Sequence, residues 1–378
     1  MRRKSPYIHD QPDWPKFQWE SEKVANLLAS VRHQQGRLIG HMEALGFPLR
    51  QEAVLQTLTE DVVKSSEIEG EVLDVEQVRS SVARRLGMDV GGLKEPDRAV
   101  EGVVEMMLDA TRRFDQPLTA ERLFAWHASL FPTGRSGMRK IRTGAWREGD
   151  SDPMQVVSGP IGHERVHFEA PAGERVDREM RAFLDWINNA DPDAGVDLVV
   201  KAGLAHLWFV TIHPFDDGNG RIARAIADLV LARSEGSPQR YYSMSAQIRR
   251  ERKAYYDILE QTQKSTLDVT PWLDWFLACL GRAIDGSQTT LALVLAKARF
   301  WQEHPDIGVN SRQRLVLNRL LDGLVASLTT SNWAKIAKCS PDTALRDILD
   351  LVDRGILVRG AEGGRSTSYG LANKSGAR

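Results

Sequence analysis

The chain lacks most of the features that would place it in a specialised class. It has two cysteines in 378 residues, Cys279 and Cys339, sixty positions apart. They form no cluster with metal-ligand spacing, which argues against a disulfide scaffold and a zinc module and fits a reducing cytoplasm. No window approaches the run of about 18 apolar residues that a membrane helix needs. The basic start Met1-Arg2-Arg3-Lys4 has no apolar stretch behind it, so it does not read as a secretory signal. Neither sign of charge dominates: 50 Lys or Arg against 51 Asp or Glu leave a net of −1, which gives no whole-chain argument for nucleic-acid binding. Internal repeats, low-complexity tracts, Walker A loops and dinucleotide fingerprints are also missing. What the chain does have is apolar content and length. A 42% hydrophobic fraction excludes a disordered polymer, and 378 residues exceed the roughly 250–300 at which one core stops growing, so several domains are expected.

Most of the chain has helical periodicity. A polar helix is expected over 22–45, behind an aromatic segment with Trp14, Phe17 and Trp19, and a second helical stretch over 50–86, where Val54, Leu58, Val62 and Val63 recur at helical spacing. Gly87, Gly91, Gly92 and Pro96 mark a loop, and two helices broken near Pro117 follow over 99–131. Extended runs at 154–157 and 165–168, joined by a Gly- and Pro-containing turn, predict a β-hairpin. Residues 196–212 are apolar nearly all round, the mark of a helix buried at the centre of a bundle. Helices are expected over 246–263 and 271–281, then a hinge at 285–287 and a linker helix. The tail reads helix, helix, turn, helix and an extended pair around Gly363 and Gly364, the order of a winged helix-turn-helix. From residue 310 onward there are 11 Lys or Arg and 6 Asp or Glu, so the neutral total hides a basic tail.

The chemistry is concentrated in 213–224, His-Pro-Phe-Asp-Asp-Gly-Asn-Gly-Arg-Ile-Ala-Arg. An imidazole at the end of a buried helix suits a general base near neutral pH. Gly218 and Gly220 permit a tight turn whose backbone N–H groups converge, and the turn opens a helix whose N-terminus attracts anions. Arg221 and Arg224 share a face of that helix and can reach successive phosphates. Asp217 supplies the single carboxylate that Mg²⁺ takes when it also binds substrate phosphate. A calcium loop fails at both ends, since Phe215 and Ile226 would occupy ligand positions. A purely structural turn, with Asp217 or Asn219 as a cap and the arginines paired to Asp228, would leave this combination of His, Asp, Asn and two Arg unexplained.

The segment resembles the Fic family signature His-Pro-Phe-x-(Asp/Glu)-Gly-Asn-Gly-Arg-x-x-Arg at every specified position. The resemblance implies transfer of AMP from ATP to a Ser, Thr or Tyr hydroxyl of a protein. In that scheme His213 is the base, Asp217 holds Mg²⁺, Gly218, Asn219 and Gly220 line the anion hole, Arg221 and Arg224 bind the outer phosphates, and Pro214 and Phe215 anchor the loop. Upstream, Ser65-Ser66-Glu67-Ile68-Glu69-Gly70 is similar to the family's inhibitory pattern (Ser/Thr)-x-x-x-Glu-(Gly/Asn), with Ser65, Glu69 and Gly70 at the specified places. It implies that Glu69 pairs with Arg224 and restrains transfer. The flap at about 154–168 would present a target segment by strand pairing. Tyr255 and Tyr256 are candidates for walling the nucleotide site, while His206 reads as a core histidine.

The expected fold class is therefore mainly α, a Fic-type helical bundle with a β-hairpin flap plus a C-terminal winged helix-turn-helix. Expected domains are an N-terminal helical segment (1–95), a catalytic core (96–285), a linker helix (286–305) and the winged helix (306–378). Implied partners are ATP, a hydroxyl-bearing protein target and a second copy of the chain, with no membrane. The winged helix, with wing residue Arg365, is open to DNA or protein, and the acidic residues Asp342, Asp347, Asp350 and Asp353 on its third helix favour protein. Rival functions are AMP removal, use of another nucleotide at the same site, and a DNA-binding regulator with a ligand-sensing core.

Overall fold

The computed structural model describes residues 7–88, 94–149, 154–159, 163, 165–189, 195–304, 308–322, 328–360 and 367–372, and not the side chain of residue 290. The chain divides after Ser287 into two compact units. The first contains α1 (Ser21–Glu43), α2 (Phe47–Ile68), α3 (Val75–Arg85), α4 (Arg98–Arg112), α5 (Ala120–Leu130), the short pair β1 (Arg135–Ser136) and β2 (Arg139–Lys140), and the hairpin β3 (Gln155–Ser158) and β4 (Arg165–Glu169). It continues with α6 (Gly173–Asn188), α7 (Leu198–Ile212), α8 (Asn219–Glu235), α9 (Met244–Arg250), α10 (Arg252–Gln263) and the start of α11 (Thr270–Glu303). Described sheets are antiparallel pairs only. Among the described residues no helix is long and apolar enough to cross a membrane.

The centre of the first unit is α7 packed along α8. As its all-round apolar sequence requires, α7 is buried on every side, with Val199, Ala205, Phe209 and Ile212 fully inaccessible, and α8 presents Ile222, Ile226 and Leu229 to the same core. Each of the larger of these side chains contributes about 1.5–3 kcal/mol of burial free energy. This layer fixes the ends of α7 and α8, and the loop between them carries residues 213–218.

Three expected helical runs differ from the structure. The stretch 50–86 is two helices: Gly70 adopts φ +86° and closes α2, with the Glu71 and Gly70 amides donating to the Ser66 and Glu67 carbonyls at 3.1 Å. That is a Schellman ending, which needs a residue tolerant of the left-handed region. Asp74 then caps α3 by accepting from the Glu76 and Gln77 amides. The run 246–263 breaks at Glu251 into α9 and α10. Conversely, the expected hinge at 285–287 is absent, and α11 runs unbroken through it. One glycine inside a helix costs only about 1 kcal/mol relative to alanine, too little to interrupt a 34-residue helix.

The second unit contains α12 (Ser311–Leu321), α13 (Thr330–Ala337) and α14 (Pro341–Asp353), followed by β5 (Leu357–Arg359) paired antiparallel with β6 (Tyr369–Leu371). Asn310 and Gln313 form a capping box at α12, and Ser340 caps α14. Val316, Leu317, Leu328, Trp333, Ile348 and Leu357 form its core. Asp347 on α14 pairs with Arg312 on α12 at 2.8 Å. Gly363, Gly364 and Arg365 lie outside the described residues, as do Met1 to Lys4, Gly91, Gly92 and most of the turn that joins β3 to β4.

Candidate active site

The buried helix α7 ends at His213 because Pro214 cannot continue it. His213 takes φ 52° and ψ 58°, a left-handed conformation uncommon outside glycine, and its amide still donates to the Phe209 carbonyl at 3.0 Å. Arg147 holds this turn from outside. Its Nε donates to the His213 carbonyl at 2.8 Å, its guanidinium also reaches the Pro171 carbonyl, and its own amide donates to Pro214 O at 2.9 Å. The His213 Nδ1 lies 3.2 Å from the Val210 carbonyl, which can only accept, so the proton sits on Nδ1 and Nε2 keeps its lone pair. Burial, reinforced by the Arg147 charge and opposed by the Val210 carbonyl, lowers the His213 pKa to about 4. At neutral pH this imidazole is an unprotonated base.

The rest of the loop is braced by side chains that replace missing backbone partners. Asn219 accepts from the Phe215 amide at 3.0 Å and donates back to the Phe215 carbonyl at 2.8 Å. Phe215 is fully buried and stacks on the His127 ring at 4.2 Å. His127 accepts from the Gly144 amide at Nδ1, so its Nε2 carries a proton toward the Asp217 carbonyl, at 3.2 Å. Asp217 itself receives the Gly218 amide at 2.6 Å and the Ser136 hydroxyl. Gly218 has φ +80° and no room for a side chain, because a Cβ there would stand 2.9 Å from the Phe131 ring.

Arg221 and Arg224 of α8 are both buried, and both face the end of α2. Arg224 Nη2 lies 2.8 Å from Glu69 Oε1, and Nε and Nη2 donate at 2.9 Å to the hydroxyl and carbonyl oxygens of Ser65. Burial opposes the charge on Arg224, but Glu69 more than offsets it and the pKa is raised. Arg221 Nη1 lies 2.6 Å from Glu71 Oε2, and its guanidinium covers the Phe131 ring at 5.0 Å. The Arg221 Nε and Arg224 Nη1 groups are buried without a hydrogen-bond partner among the described residues. Buried cationic donors of that kind suit an anion with several oxygens. The Glu69 carboxylate already stands beside this point, since a Cβ on Gly220, in the first turn of α8, would meet its Oε1 at 2.2 Å. Asp228 pairs instead with Arg240, at 2.9 Å, so the structural alternative in which it holds Arg221 or Arg224 does not occur.

A model of the Fic/DOC family matches residues 117–231, which include the whole segment 213–224. The chain contains a Fic/DOC domain. Residues 7–88, which carry Ser65, Glu69 and Gly70, match a second model, described as a domain of unknown function, DUF4172. Curated relatives include the protein adenylyltransferase Fic of Nematostella vectensis, 35% identical over 116 residues that cover 30% of this chain and 25% of that protein. Another is the protein adenylyltransferase fic-1 of Caenorhabditis elegans, 33% identical over 93 residues, 24% of this chain and 18% of that protein. The chain thus spans a quarter or less of the length of these relatives. Among solved structures, a Fic family protein from Desulfovibrio desulfuricans shares the fold, with TM-score 0.53 at 23% identity over 94% of this chain and 97% of that one. A Fic domain-containing signaling protein from Bacteroides thetaiotaomicron aligns with TM-score 0.50 at 22% identity, over 71% of this chain and 97% of that one.

In the Fic domain and the helices around it, a cavity of about 710 Å³ opens over His213 and Gly220, with Glu69 and Tyr256 on one side and Ser158 and His167 of the flap on another. Tyr256 OH donates to Glu69 Oε2 at 3.3 Å, and Arg252 Nε donates to the Ile68 carbonyl at 2.7 Å, so α10 grips the end of α2. Tyr255 is largely buried but also lines the cavity beside Tyr256, and its hydroxyl lies 2.9 Å from Nε2 of His206, which belongs to the core beneath. Sequence reasoning missed Ser136, His127 and Arg147, which hold the loop, and Glu71, which pairs with Arg221. Glu71 offered one signal, its place two residues after Glu69. The other three stand 66 to 90 residues from their partners, with no spacing rule to connect them.

Proposed function

We propose that the chain is an autoinhibited protein adenylyltransferase that moves AMP from ATP to a Ser, Thr or Tyr hydroxyl of a protein target. The observation that carries this reading is the meeting of an unprotonated His213 with two buried arginines, each with an unpartnered N–H, at the N-terminus of α8. The target hydroxyl gives its proton to His213 Nε2 while its oxygen attacks the α-phosphorus, and pyrophosphate leaves with the bonding electrons. Arg221 and Arg224 meet the charge on the departing phosphates, the electrostatic stabilisation such transfers chiefly require. A single carboxylate beside the phosphate site suits Mg²⁺, which binds proteins through one or two carboxylates plus substrate phosphates; Asp217 would hold it, and when bound it neutralises phosphate charge.

Glu69 restrains the reaction in this reading. Its carboxylate lies against Gly220 and engages Arg224, the position an incoming phosphate would take, and like charges cannot share it. Glu71 extends the same restraint to Arg221. The test is incubation of the parent, Glu69→Gly and His213→Ala proteins with α-labelled ATP and Mg²⁺ in a cell lysate, alongside other labelled nucleotides. Label on the lysate proteins that rises with Glu69→Gly and vanishes with His213→Ala supports the reading, and equal label on them with all three variants overturns it. For the second unit we propose a winged-helix docking module for protein: α14 exposes Leu345 and Leu349 one turn apart, while its Asp347 and Asp350 are tied to Arg312 and Arg354. Binding of duplex DNA that weakens steeply with salt and is lost on deleting residues 306–378 would refute that assignment.

A further inference from the structure

Beyond the loop, the flap carries a second chain of chemistry-bearing groups. Ser158 Oγ lies 2.5 Å from His167 Nε2, and His167 Nδ1 lies 2.6 Å from Glu260 Oε2 on α10. Burial works against the charge on Glu260, but hydrogen bonds from His167, Lys264 and Arg165 hold its pKa down to about 2, so it is ionised and can only accept. The His167 proton therefore sits on Nδ1, and Nε2 presents a lone pair to the Ser158 hydroxyl. Nucleophile, base and a carboxylate that orients the base stand in the order that activates a serine.

The strand geometry makes this contact. Val156 pairs with Phe168, but Val157 pairs with Val166 and Ser158 with Arg165, so His167 is an extra residue without a cross-strand partner. In an unbulged ladder Ser158 would face Val166, and His167, one position on, would point to the opposite side of the hairpin. The bulge turns His167 to the side of Ser158, as bulges beside active sites do. A simple tie between flap and helix has no need of it, since Arg165 already reaches Glu260 at 3.0 Å. Ser158 is exposed, and it lines the same cavity as His213 and Gly220.

We propose that Ser158 is a nucleophile supplied by this chain itself, with His167 as its base and Glu260 as the positioning residue, and that it accepts the nucleotidyl group of a nucleoside triphosphate bound in the cavity. This inference rests on the transferase reading above. The Ser158 Oγ–P bond forms at the α-phosphorus as the bond to the β-phosphate oxygen breaks, and pyrophosphate leaves with the electron pair. The hydroxyl proton passes to His167 Nε2, the imidazolium is balanced by Glu260, and the proton is then lost to water. The product is a flap that carries its own nucleotide at the mouth of the site.

The experiment uses the full chain bearing Glu69→Gly, incubated with α-labelled ATP and Mg²⁺ in the presence of lysate proteins, with peptide mapping by mass spectrometry and melting curves for each variant. The expected result is label on Ser158 that survives His213→Ala, falls on the order of 100-fold in His167→Gln at unchanged melting temperature, and reappears at the same position in Ser158→Thr. Without nucleotide, a fluorophosphonate probe, which a reactive serine displaces with loss of fluoride, should label Ser158 in the parent and not in His167→Gln. Label on lysate proteins with none on Ser158 would overturn the inference and leave the transferase reading standing. Loss of Ser158 label with His213→Ala would remove His167 from the role of base and overturn it too. Absence of nucleotide label on every protein would remove both.

Discussion

The loop at 213–218, which leads into the helix that carries Arg221 and Arg224, and the segment at 65–71, which contacts both arginines, are held in different ways. The loop is braced by side chains that bond or stack against it: Asn219 on the Phe215 backbone, His127 stacked on Phe215, and Arg147 on the His213 carbonyl. The segment at 65–71 instead engages the groups an anion needs, Arg224 and Arg221, with Tyr256 and Arg252 at its edge and Ile68 fully buried. In the proposed function the loop is pre-formed, while the carboxylates of Glu69 and Glu71 are the groups an anion would compete with for the arginines.

The sharpest way to break that comparison is His213→Ala, which should lower transfer about 100- to 10,000-fold, the usual worth of a general base, without shifting the melting temperature downward. A large loss of stability would mean that the base also holds the loop. Asn219→Ala should do the reverse and lower the melting temperature first, because the Phe215 N–H and C=O are left buried and unsatisfied at about 1–3 kcal/mol each. Unchanged melting would show that the loop is not braced there. Glu69→Gly should raise transfer roughly tenfold or more, since a hydrogen-bonded charge on a buried arginine is worth about 1.5–3 kcal/mol. Glu71→Gln should raise it less, fivefold at most, because Glu71 is 41% exposed and exposed pairs contribute about 0–1 kcal/mol. Initial rates with labelled ATP decide both, and a larger effect from Glu71 would relocate the restraint to Arg221.

A pH series probes the buried rings. His9, His127 and His213 are held by burial at about 4 and His206 at about 3, all below the ordinary value of 6.5. The unfolded chain binds these protons first, so the stability that the neutral rings contribute is complete above about pH 6.5 and falls as pH drops toward 4. Urea midpoints at pH 7.5, 5.5 and 4.5 should decline in that order. Transfer should show no acid limb near 6.5, because His213 stays unprotonated there.

The parts legible in the sequence share one property, that their partners are close along the chain. The all-round apolar run at 196–212 announced α7, and Gly218, Asn219 and Gly220 announced the turn, since local spacing alone fixes which groups converge. Ser65, Glu69 and Gly70 were legible as a pattern, and the structure gives the glycine a local reason, the left-handed ending of α2. The breaks at Gly70 and Glu251 and the unbroken α11 were not, because one residue's propensity of about 1 kcal/mol is decided by what the helix packs against.

By itself, then, the sequence determined a mainly helical chain and one loop whose histidine, carboxylate and arginines lie within twelve positions. Only the tertiary structure decided what faces that loop: Glu71 on Arg221, Arg147 and His127 beneath it, and a bulged flap that joins Ser158, His167 and Glu260. The physical reason is distance along the chain. A helix or turn sets the relation of residues a few positions apart, whereas groups separated by 66 to 150 residues meet only when hydrophobic packing of α2, α7, α8 and α10 has fixed where each element ends.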